Sequence, residues 1–243
     1  MIVVATMTYA LGKQIGFPEA TAEFNRQLEH PTPTSLPCVR VIARLREMDT
    51  VGVHHDASAT CIGKARARAF AAALAAKPDI IFVCVDDDVE ADAHTLGLLL
   101  AAVRDHDDVV CVAPCLTRGS NVVNIAIDGE PVYRELPSGA RTVRIVSGGF
   151  GLVAMSGRAM RHIVDAHPGL EFLDDDGVVK PALFLEMLIG RSWCGEDVSF
   201  CHRAAAAGMR LEALTEGHTV HAGALLRLRA LTGLTMHEAT QLR

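Results

Sequence analysis

The chain has 243 residues, and its 23 Lys and Arg against 29 Asp and Glu give a formal net charge of −6 at pH 7. Half of the residues are hydrophobic, which excludes global disorder and allows one large α/β domain or two small ones. The acidic balance argues against a protein that coats nucleic acid. It leaves open a local basic groove, for which the candidates are Arg141, Arg144, Arg158 and Arg161, or Arg227 and Arg229.

Segments that would place the protein in or across a membrane are not evident in the sequence. No apolar run reaches the roughly 18 residues that cross a bilayer, and Met1 is followed by no basic segment typical of a signal peptide. The seven cysteines form no Cys-x-x-Cys pair and are odd in number, which predicts mostly buried, reduced thiols. We therefore expect a soluble cytoplasmic protein.

Strands and helices are predicted to alternate along a single domain. Before residue 80 the predicted elements are a strand over Ile2–Thr8, a helix over Pro18–Glu29, a strand over Cys38–Leu45 and a helix over Ile62–Ala76. After residue 90 they are a helix over Ala91–His106, a strand over Val109–Ala113, a loop-rich stretch with a hairpin near Asp128–Gly129, a strand over Leu152–Met155, a helix over Ser156–Ala166, a helix ending at Ala207 and a terminal helix or tail over 224–243.

A buried strand that ends in three carboxylates is the most informative stretch. Ile80–Val85 is an unbroken apolar run, typical of a strand buried on both faces, and Asp86, Asp87 and Asp88 follow it directly. Three adjacent like charges require a compensating cation or strong hydrogen-bond donors. Because ligands bind at the carboxyl ends of parallel strands, a hard divalent metal carrying a phosphorylated ligand would meet this requirement. A solvated acidic turn is the alternative.

Later acidic and imidazole side chains are candidates for catalysis and metal binding. Glu196 and Asp197 begin a predicted helix, where the helix dipole alone favours acidic residues and where a general base would also be well placed. His221 is a candidate metal ligand, and His218 is an equal alternative. Arg66 would either neutralise a diphosphate or simply solvate a helix face.

Two further stretches have plainer interpretations. Ser147–Gly151 lacks the spacing of a P-loop, and its glycines suit either close approach of the backbone to a ligand or a tight turn. Asp174, Asp175 and Asp176 follow no buried strand, so they are predicted to form a solvated loop.

Taken in order, these motifs resemble those of metal-dependent glycosyltransferases of the GT-A fold, in the nucleotide-diphospho-sugar transferase superfamily and similar to family 2. The matching stretches are Ile2–Thr6 with Thr8-Tyr9, Ala65-Arg66, Val85–Asp88, Ser147–Ala154, Cys194–Arg203 and Val220–Gly223. The resemblance implies a three-layer α/β/α domain with a mostly parallel sheet. Residues 1–115 would form the nucleotide-sugar-binding half and residues 116–223 the acceptor and catalytic half.

The resemblance also implies a role for each matching residue. Asp88, Asp86 and His221 would hold Mn²⁺ or Mg²⁺, and Asp197 with Glu196 would form the catalytic acid pair. The nucleotide and its diphosphate would be bound by Thr6, Tyr9, Arg66, Asp86 and Asp87. The sugar and acceptor side would be formed by Gly148, Gly149, Phe150 and Trp193. Because Asp87 lies between Asp86 and Asp88, the resemblance leaves open which two of the three carboxylates bind the metal and the nucleotide.

The implied activity is transfer of a sugar from a UDP- or GDP-sugar to an acceptor hydroxyl, with the metal neutralising the departing diphosphate. An inverting enzyme would use Asp197 to remove the acceptor proton, whereas a retaining enzyme would use it to orient the acceptor. The acceptor is a small molecule, a glycan, a protein or a modified nucleic-acid base. A nucleotidyltransferase on the same fold is the first alternative, although Met7–Lys13 holds one Lys and no Arg. A non-catalytic nucleotide-sugar-binding module is the second.

Overall fold

An eight-stranded sheet forms the centre of the protein in the computed structural model, which describes residues 1–7, 17–56, 61–77, 79–117, 122–221 and 224–228. In spatial order its strands are Val51–Asp56 (β2), Ile2–Met7 (β1), Ile81–Asp86 (β3), Leu152–Ser156 (β10), Val109–Val112 (β5), Arg210–Leu214 (β15), Arg141–Arg144 (β8) and Tyr133–Glu135 (β7). Six of the eight strands run in the same direction, and β10 and β8 run the opposite way. The predicted mostly parallel sheet is confirmed.

Helices cover both faces of this sheet. One face carries Ile62–Leu74 (α3), Gly157–Asp165 (α5) and Glu196–Ala206 (α6), and the other carries Phe17–Glu29 (α1), Pro37–Met48 (α2) and Ala93–Arg104 (α4). Successive residues of a strand point to opposite faces, so Phe82 and Cys84 of β3 pack under α3 while Val83 and Val85 pack under α2 and α4. This is the predicted three-layer α/β/α arrangement. Among the described residues, no helix combines the length and apolar character needed to cross a membrane.

Short strands form smaller sheets beside the central sheet. Val89–Ala91 (β4), Gly217–His221 (β16) and Ala224–Leu228 (β17) form a three-stranded sheet, and Ile125–Ala126 (β6) pairs with Ser147–Gly148 (β9). Two hairpins are made by Glu171–Leu173 (β11) with Val179–Pro181 (β12) and by Met187–Ile189 (β13) with Ser192–Cys194 (β14). All seven cysteines are unpaired and five of them are buried, as the sequence predicted.

Three predicted elements are wrong. Residues 38–45 form part of α2 and not a strand, because Pro37 starts a helix whose buried Cys38, Val41, Ile42 and Leu45 follow helical spacing. Of residues 224–243, predicted as a terminal helix or tail, 224–228 form β17, since pairing with β16 overrides the helix preference of their Ala and Leu residues, and 229–243 lie outside the described residues. The hairpin of this region is β7–β8, whose turn uses Gly139 at a φ of +82° in place of the predicted turn near Asp128.

Candidate active site

The carboxyl ends of the first three strands of the chain meet at one edge of the sheet. Met7, the last residue of β1, pairs with Asp56 on β2 and with Asp86 on β3. Asp56 is a candidate site residue that sequence reasoning missed, because the second strand was placed over residues 38–45. The available signal was the apolar start of Val51–Asp56 followed by a terminal carboxylate, the same pattern as in β3.

The three consecutive carboxylates point in three directions. Asp86 accepts hydrogen bonds from Arg66 Nη2 at 2.9 and 3.2 Å. Asp87 is buried near the Cys38 thiol, whose pKa burial raises to about 12 with a smaller contribution from the Asp87 charge. Asp88 lies 3.5 Å from His221 Nε2. The mutual repulsion of adjacent carboxylates is thereby reduced, and the strong donor that the sequence required is supplied to Asp86 by Arg66.

Arg66 joins the acidic strand end to the start of α6. Its side chain is 2% exposed, and its Nη1 donates to Glu196 Oε1 at 2.7 Å. The guanidinium lies over the Phe150 ring at 5.7 Å from the centroid. Burial raises the pKa of the Glu196 carboxyl, and the neighbouring Arg66 charge opposes that rise. A sequence separation of 130 residues between the two partners gave no local signal for this contact.

Gly63 allows α3 to approach closely enough for this bridge to form. A Cβ at Gly63 would lie 2.7 Å from the Phe184 carbonyl oxygen and 3.3 Å from the Glu196 Cβ. Any other residue would therefore push the first turn of α3 away from the Phe184 backbone, and with it from Glu196. Because Arg66 is one turn further along α3, the close approach at Gly63 brings its guanidinium to the carboxylate.

His221, and not His218, lies beside the acidic strand end. The Leu116 carbonyl can only accept a hydrogen bond, so the 2.6 Å contact to His221 Nδ1 places a proton on Nδ1. In this tautomer the Nε2 lone pair faces Asp88, an arrangement that a shared cation stabilises. The His218 ring instead contacts the Asp92 carboxylate at 2.9 Å, at the start of α4.

Arginines of α2 hold the strand that follows the three carboxylates. Glu90 of β4 forms ion pairs with Arg40 at 2.5 Å and with Arg44 at 2.7 Å. Arg44 also donates to the Ala91 carbonyl at 2.8 Å. On the other side of β4, Val89 pairs with His221 of β16. The loop that carries Asp88 is thus fixed from both sides.

Of the two glycines predicted for the floor of the site, Gly149 contacts an asparagine, whereas Gly148 packs against apolar side chains. A Cβ at Gly149 would lie 2.6 Å from Asn124 Nδ2, so only glycine fits without moving that side chain. Asn124 Oδ1 accepts the Cys115 N–H at 2.8 Å, directly before Leu116. Phe150 is buried against Phe184 and Phe200 and supports Arg66 from below. Sequence reasoning missed Asn124, since a single asparagine in a loop carries no pattern.

The remaining predicted residues differ widely in exposure. Asp197 is half-buried, and its Oδ1 accepts the Val198 N–H at 2.7 Å. Trp193 is 71% exposed, and its indole N–H donates to Glu186 at 2.8 Å. Thr6 is fully buried, and its hydroxyl lies near the Cys38 thiol. Tyr9 lies outside the described residues, as do Thr8, Ala222 and Gly223 of the matching stretches.

The solved structures to which the chain is similar in fold include the following two. It is similar to the crystal structure of A197 from STIV at 12% identity with a TM-score of 0.48, covering 97% of this chain and 98% of that chain. It is similar to GalNAc-T7, solved with UDP, GalNAc and Mn²⁺, at 13% identity with a TM-score of 0.47. That match covers 97% of this chain and 45% of GalNAc-T7, so the chain spans less than half of that protein. No family model and no curated protein matches the sequence.

A metal ion at this edge would have few protein ligands in the described part of the chain. There, no group of three or more His, Cys, Asp or Glu side chains converges on one point. Asp88 and His221 nevertheless present an oxygen and an imidazole nitrogen 3.5 Å apart, and the second ring nitrogen is held by a carbonyl. That hydrogen bond is typical of metal-binding histidines, so these two residues fit a divalent cation. Asp86, the third predicted ligand, faces Arg66 instead.

The acidic segment 174–176 differs from its prediction. Asp174 is 5% exposed and forms ion pairs with Arg68 at 2.7 Å, with Lys64 at 3.3 Å and with Lys180. The prediction of a solvated loop is therefore wrong for Asp174, because basic residues of α3 and β12 cover it. Asp175 remains exposed at the rim.

Three of the arginines predicted for a nucleic-acid groove have separate partners. Arg158 pairs with Asp79 at 3.0 Å and Asp107 at 3.2 Å. Arg161 donates to two backbone carbonyls at the end of α3, and Arg141 lies over the Tyr133 ring at 5.2 Å. These three arginines thus each have a partner within the chain, whereas Arg144 is exposed, so the nucleic-acid groove stays a prediction.

Proposed function

We propose that this protein is a metal-dependent glycosyltransferase that moves a sugar from a nucleoside-diphosphate sugar to an acceptor hydroxyl. The observation that supports this best is the meeting of two acidic centres at one edge of the sheet. Asp88 lies with His221, and Asp86 is joined through Arg66 to Glu196, beside Asp197. A donor carrying a diphosphate and a hydroxylic acceptor require these two kinds of centre side by side.

Asp88 and His221 would hold the metal in this proposal. Mg²⁺ and Mn²⁺ keep several waters and take phosphate oxygens as ligands, so two protein ligands and a diphosphate complete a plausible set. The bound ion would supply Lewis-acid stabilisation of the charge on the leaving diphosphate. The Leu116 carbonyl would keep the His221 ring oriented, since it accepts the Nδ1–H bond.

Asp197 would act on the acceptor. It lies in the first turn of α6, and the bond from the Val198 N–H holds one of its oxygens in place. In an inverting reaction its carboxylate would take the proton of the attacking hydroxyl, and in a retaining reaction it would orient that hydroxyl. Trp193, with its indole N–H held by Glu186, would present a fixed apolar surface to a sugar ring.

Donor turnover tests the proposal directly. Release of nucleoside diphosphate would be measured for a panel of UDP- and GDP-sugars, with and without MnCl₂. We expect Mn²⁺-dependent turnover of one donor, and a loss of about a hundredfold in Asp88→Asn, since one metal ligand is replaced by a neutral group.

Asp165→Asn is the matched control, because Asp165 is an exposed carboxylate at the end of α5. Its turnover should equal that of the wild type. Absence of binding and turnover for every donor, with Mn²⁺ present and the protein folded, would rule the proposed function out.

A further inference from the structure

We infer that Arg66 is a positioning residue that links Asp86 of β3 to Glu196 of α6, and that it does not contact the diphosphate of the donor. The inference rests on the proposed glycosyltransferase function and refines its site. It departs from the role that the sequence resemblance implied, in which Arg66 binds the nucleotide and its diphosphate. Three features of the side chain lead to it: its partners, its burial and its charge balance.

Both terminal nitrogens of Arg66 are engaged by carboxylates. Nη2 donates to both oxygens of Asp86 at 2.9 and 3.2 Å, and Nη1 donates to Glu196 at 2.7 Å. These are short, charge-assisted hydrogen bonds, which are stronger than bonds between neutral groups. A diphosphate would have to displace one of these two carboxylates to reach the guanidinium.

The guanidinium is also closed off from solvent. The residue is 2% exposed, its Nε is buried, and the Cys84 thiol and the Phe150 ring lie close to the guanidinium. A diphosphate is large and strongly hydrated, so direct contact would require both the opening of this packing and the loss of its hydration. Asp88 and His221, in contrast, are partly exposed.

The charge of Arg66 is already matched. Two carboxylates face a single guanidinium, so the cluster of Arg66, Asp86 and Glu196 has no excess positive charge with which to attract a diphosphate. The cluster instead fixes the distance between the end of β3 and the start of α6. Asp86 ends a central strand and Glu196 begins α6, and the planar, forked guanidinium holds both at once. Asp197, the next residue, is positioned with them.

The Arg66→Lys variant tests whether Arg66 positions the two carboxylates or binds the diphosphate. Lysine keeps the positive charge but cannot donate to two carboxylates in the forked geometry of a guanidinium. We expect the dissociation constants of UDP and GDP, measured by calorimetry with MnCl₂, to stay within about threefold of the wild type. The kcat for the donor found active should fall about a hundredfold, because a small displacement of Asp197 disturbs the reaction geometry.

Arg158→Lys on α5 is the matched control. Arg158 is paired with Asp79 and Asp107, which precede β3 and β5 and so lie away from the carboxyl ends of the strands. Its substitution should change neither the affinity for UDP or GDP nor kcat. Circular dichroism of both variants would establish that they are folded.

A second variant keeps the test decisive if Arg66→Lys does not fold. Glu196→Gln retains an acceptor for Nη1 but removes the negative charge that competes for the guanidinium. If Arg66 positions carboxylates, the affinity for UDP or GDP stays unchanged in this variant while kcat falls. If Arg66 binds the diphosphate, that affinity rises by about threefold or more.

A loss of UDP or GDP affinity of about tenfold or more in folded Arg66→Lys would overturn the inference and leave the proposed function intact. A wild-type protein that binds and turns over no donor would instead reject the proposed function. The two failures are therefore distinguished by the activity of the wild type.

Discussion

Single atoms decide how closely the backbone segments of the site approach one another. The Cα of Gly149 lies against the Asn124 carboxamide, which leaves no room for a Cβ. Asn124 exchanges two hydrogen bonds with Cys115, through its side chain and its backbone N–H. Leu116, whose carbonyl binds His221, follows Cys115 directly. The position of Asn124 beside Gly149 therefore affects the position of the proposed metal ligand through Cys115 and Leu116.

Gly149→Ala is expected to lower the free energy of unfolding by about 2 kcal/mol, because the Asn124 side chain must move to accommodate the new methyl group. Gly97→Ala is the control, since nothing lies within 4 Å of its Cβ on α4. It should raise the free energy of unfolding by about 0.5 to 1 kcal/mol through helix propensity. Urea denaturation measures both, and equal effects of the two substitutions would contradict the steric explanation.

At the scale of elements, ion pairs fasten the β11–β12 hairpin to α3. Arg68 holds the Asp174 carboxylate with two bonds of 2.7 and 2.8 Å, and Lys64 and Lys180 contact the same group. Hydrogen bonds from Arg68, with further bonds from Lys180 and Lys64, hold the pKa of Asp174 well below its usual value of 3.8, against the opposing effect of burial. Ion pairs therefore hold the β11–β12 hairpin against α3.

Asp174→Asn is expected to lower the free energy of unfolding by about 1 kcal/mol at pH 7, because the partly exposed Lys64, Arg68 and Lys180 lose a shared carboxylate while each keeps a second one. A carboxyl whose pKa is depressed by folding stabilises the protein above its unfolded pKa, and this stability disappears as the pH falls through the folded value. Wild-type stability should thus decline below about pH 4, and Asp174→Asn should decline less over the same range. Urea denaturation between pH 7 and 2 measures this.

Asp165→Asn serves again as the control for charge removal, since Asp165 is exposed. It should keep both the stability and the pH dependence of the wild type. If Asp174→Asn showed the full wild-type decline at acid pH, the assignment of that decline to Asp174 would fail.

At the scale of the whole molecule, a buried carboxylate joins the outer strands of the sheet to its centre. Glu212 on β15 is 3% exposed and accepts hydrogen bonds from Arg134 on β7 and from Thr142 on β8, the latter at 2.7 Å. Arg134 also donates to the Ala102 carbonyl of α4 at 2.9 Å. This one carboxylate therefore ties three strands and a helix together.

Glu212→Gln is expected to lower the free energy of unfolding by about 3 kcal/mol, because the partly buried Arg134 would lose the buried carboxylate with which it is paired. The urea midpoint should fall while the slope of the transition stays unchanged. Glu135→Gln, at an exposed position on β7, should leave the midpoint where it is. A wild-type midpoint in Glu212→Gln would show that the edge strands are held by backbone pairing alone.

Sequence-based predictions were confirmed where the structure depends on interactions between residues close together in the chain. The α3 and α5 helices, the strand before Asp86 and the start of α6 were found because apolar periodicity and helix-start signals act over a few residues. The α2 helix was mistaken for a strand because its β-branched residues were weighted above their helical spacing. Asp56 was then missed, since its strand was assigned to the wrong segment.

The sequence by itself determined the α/β class, the buried central strand and the acidic residues at its end, because these depend on local patterns of apolar and charged residues. Only the tertiary structure decided which partners those residues have. It brought His221 and not His218 to Asp88, joined Arg66 to Glu196 and buried Asp174 among cations. Such contacts link positions far apart in the chain, and they depend on how helices and strands pack, which no local pattern encodes.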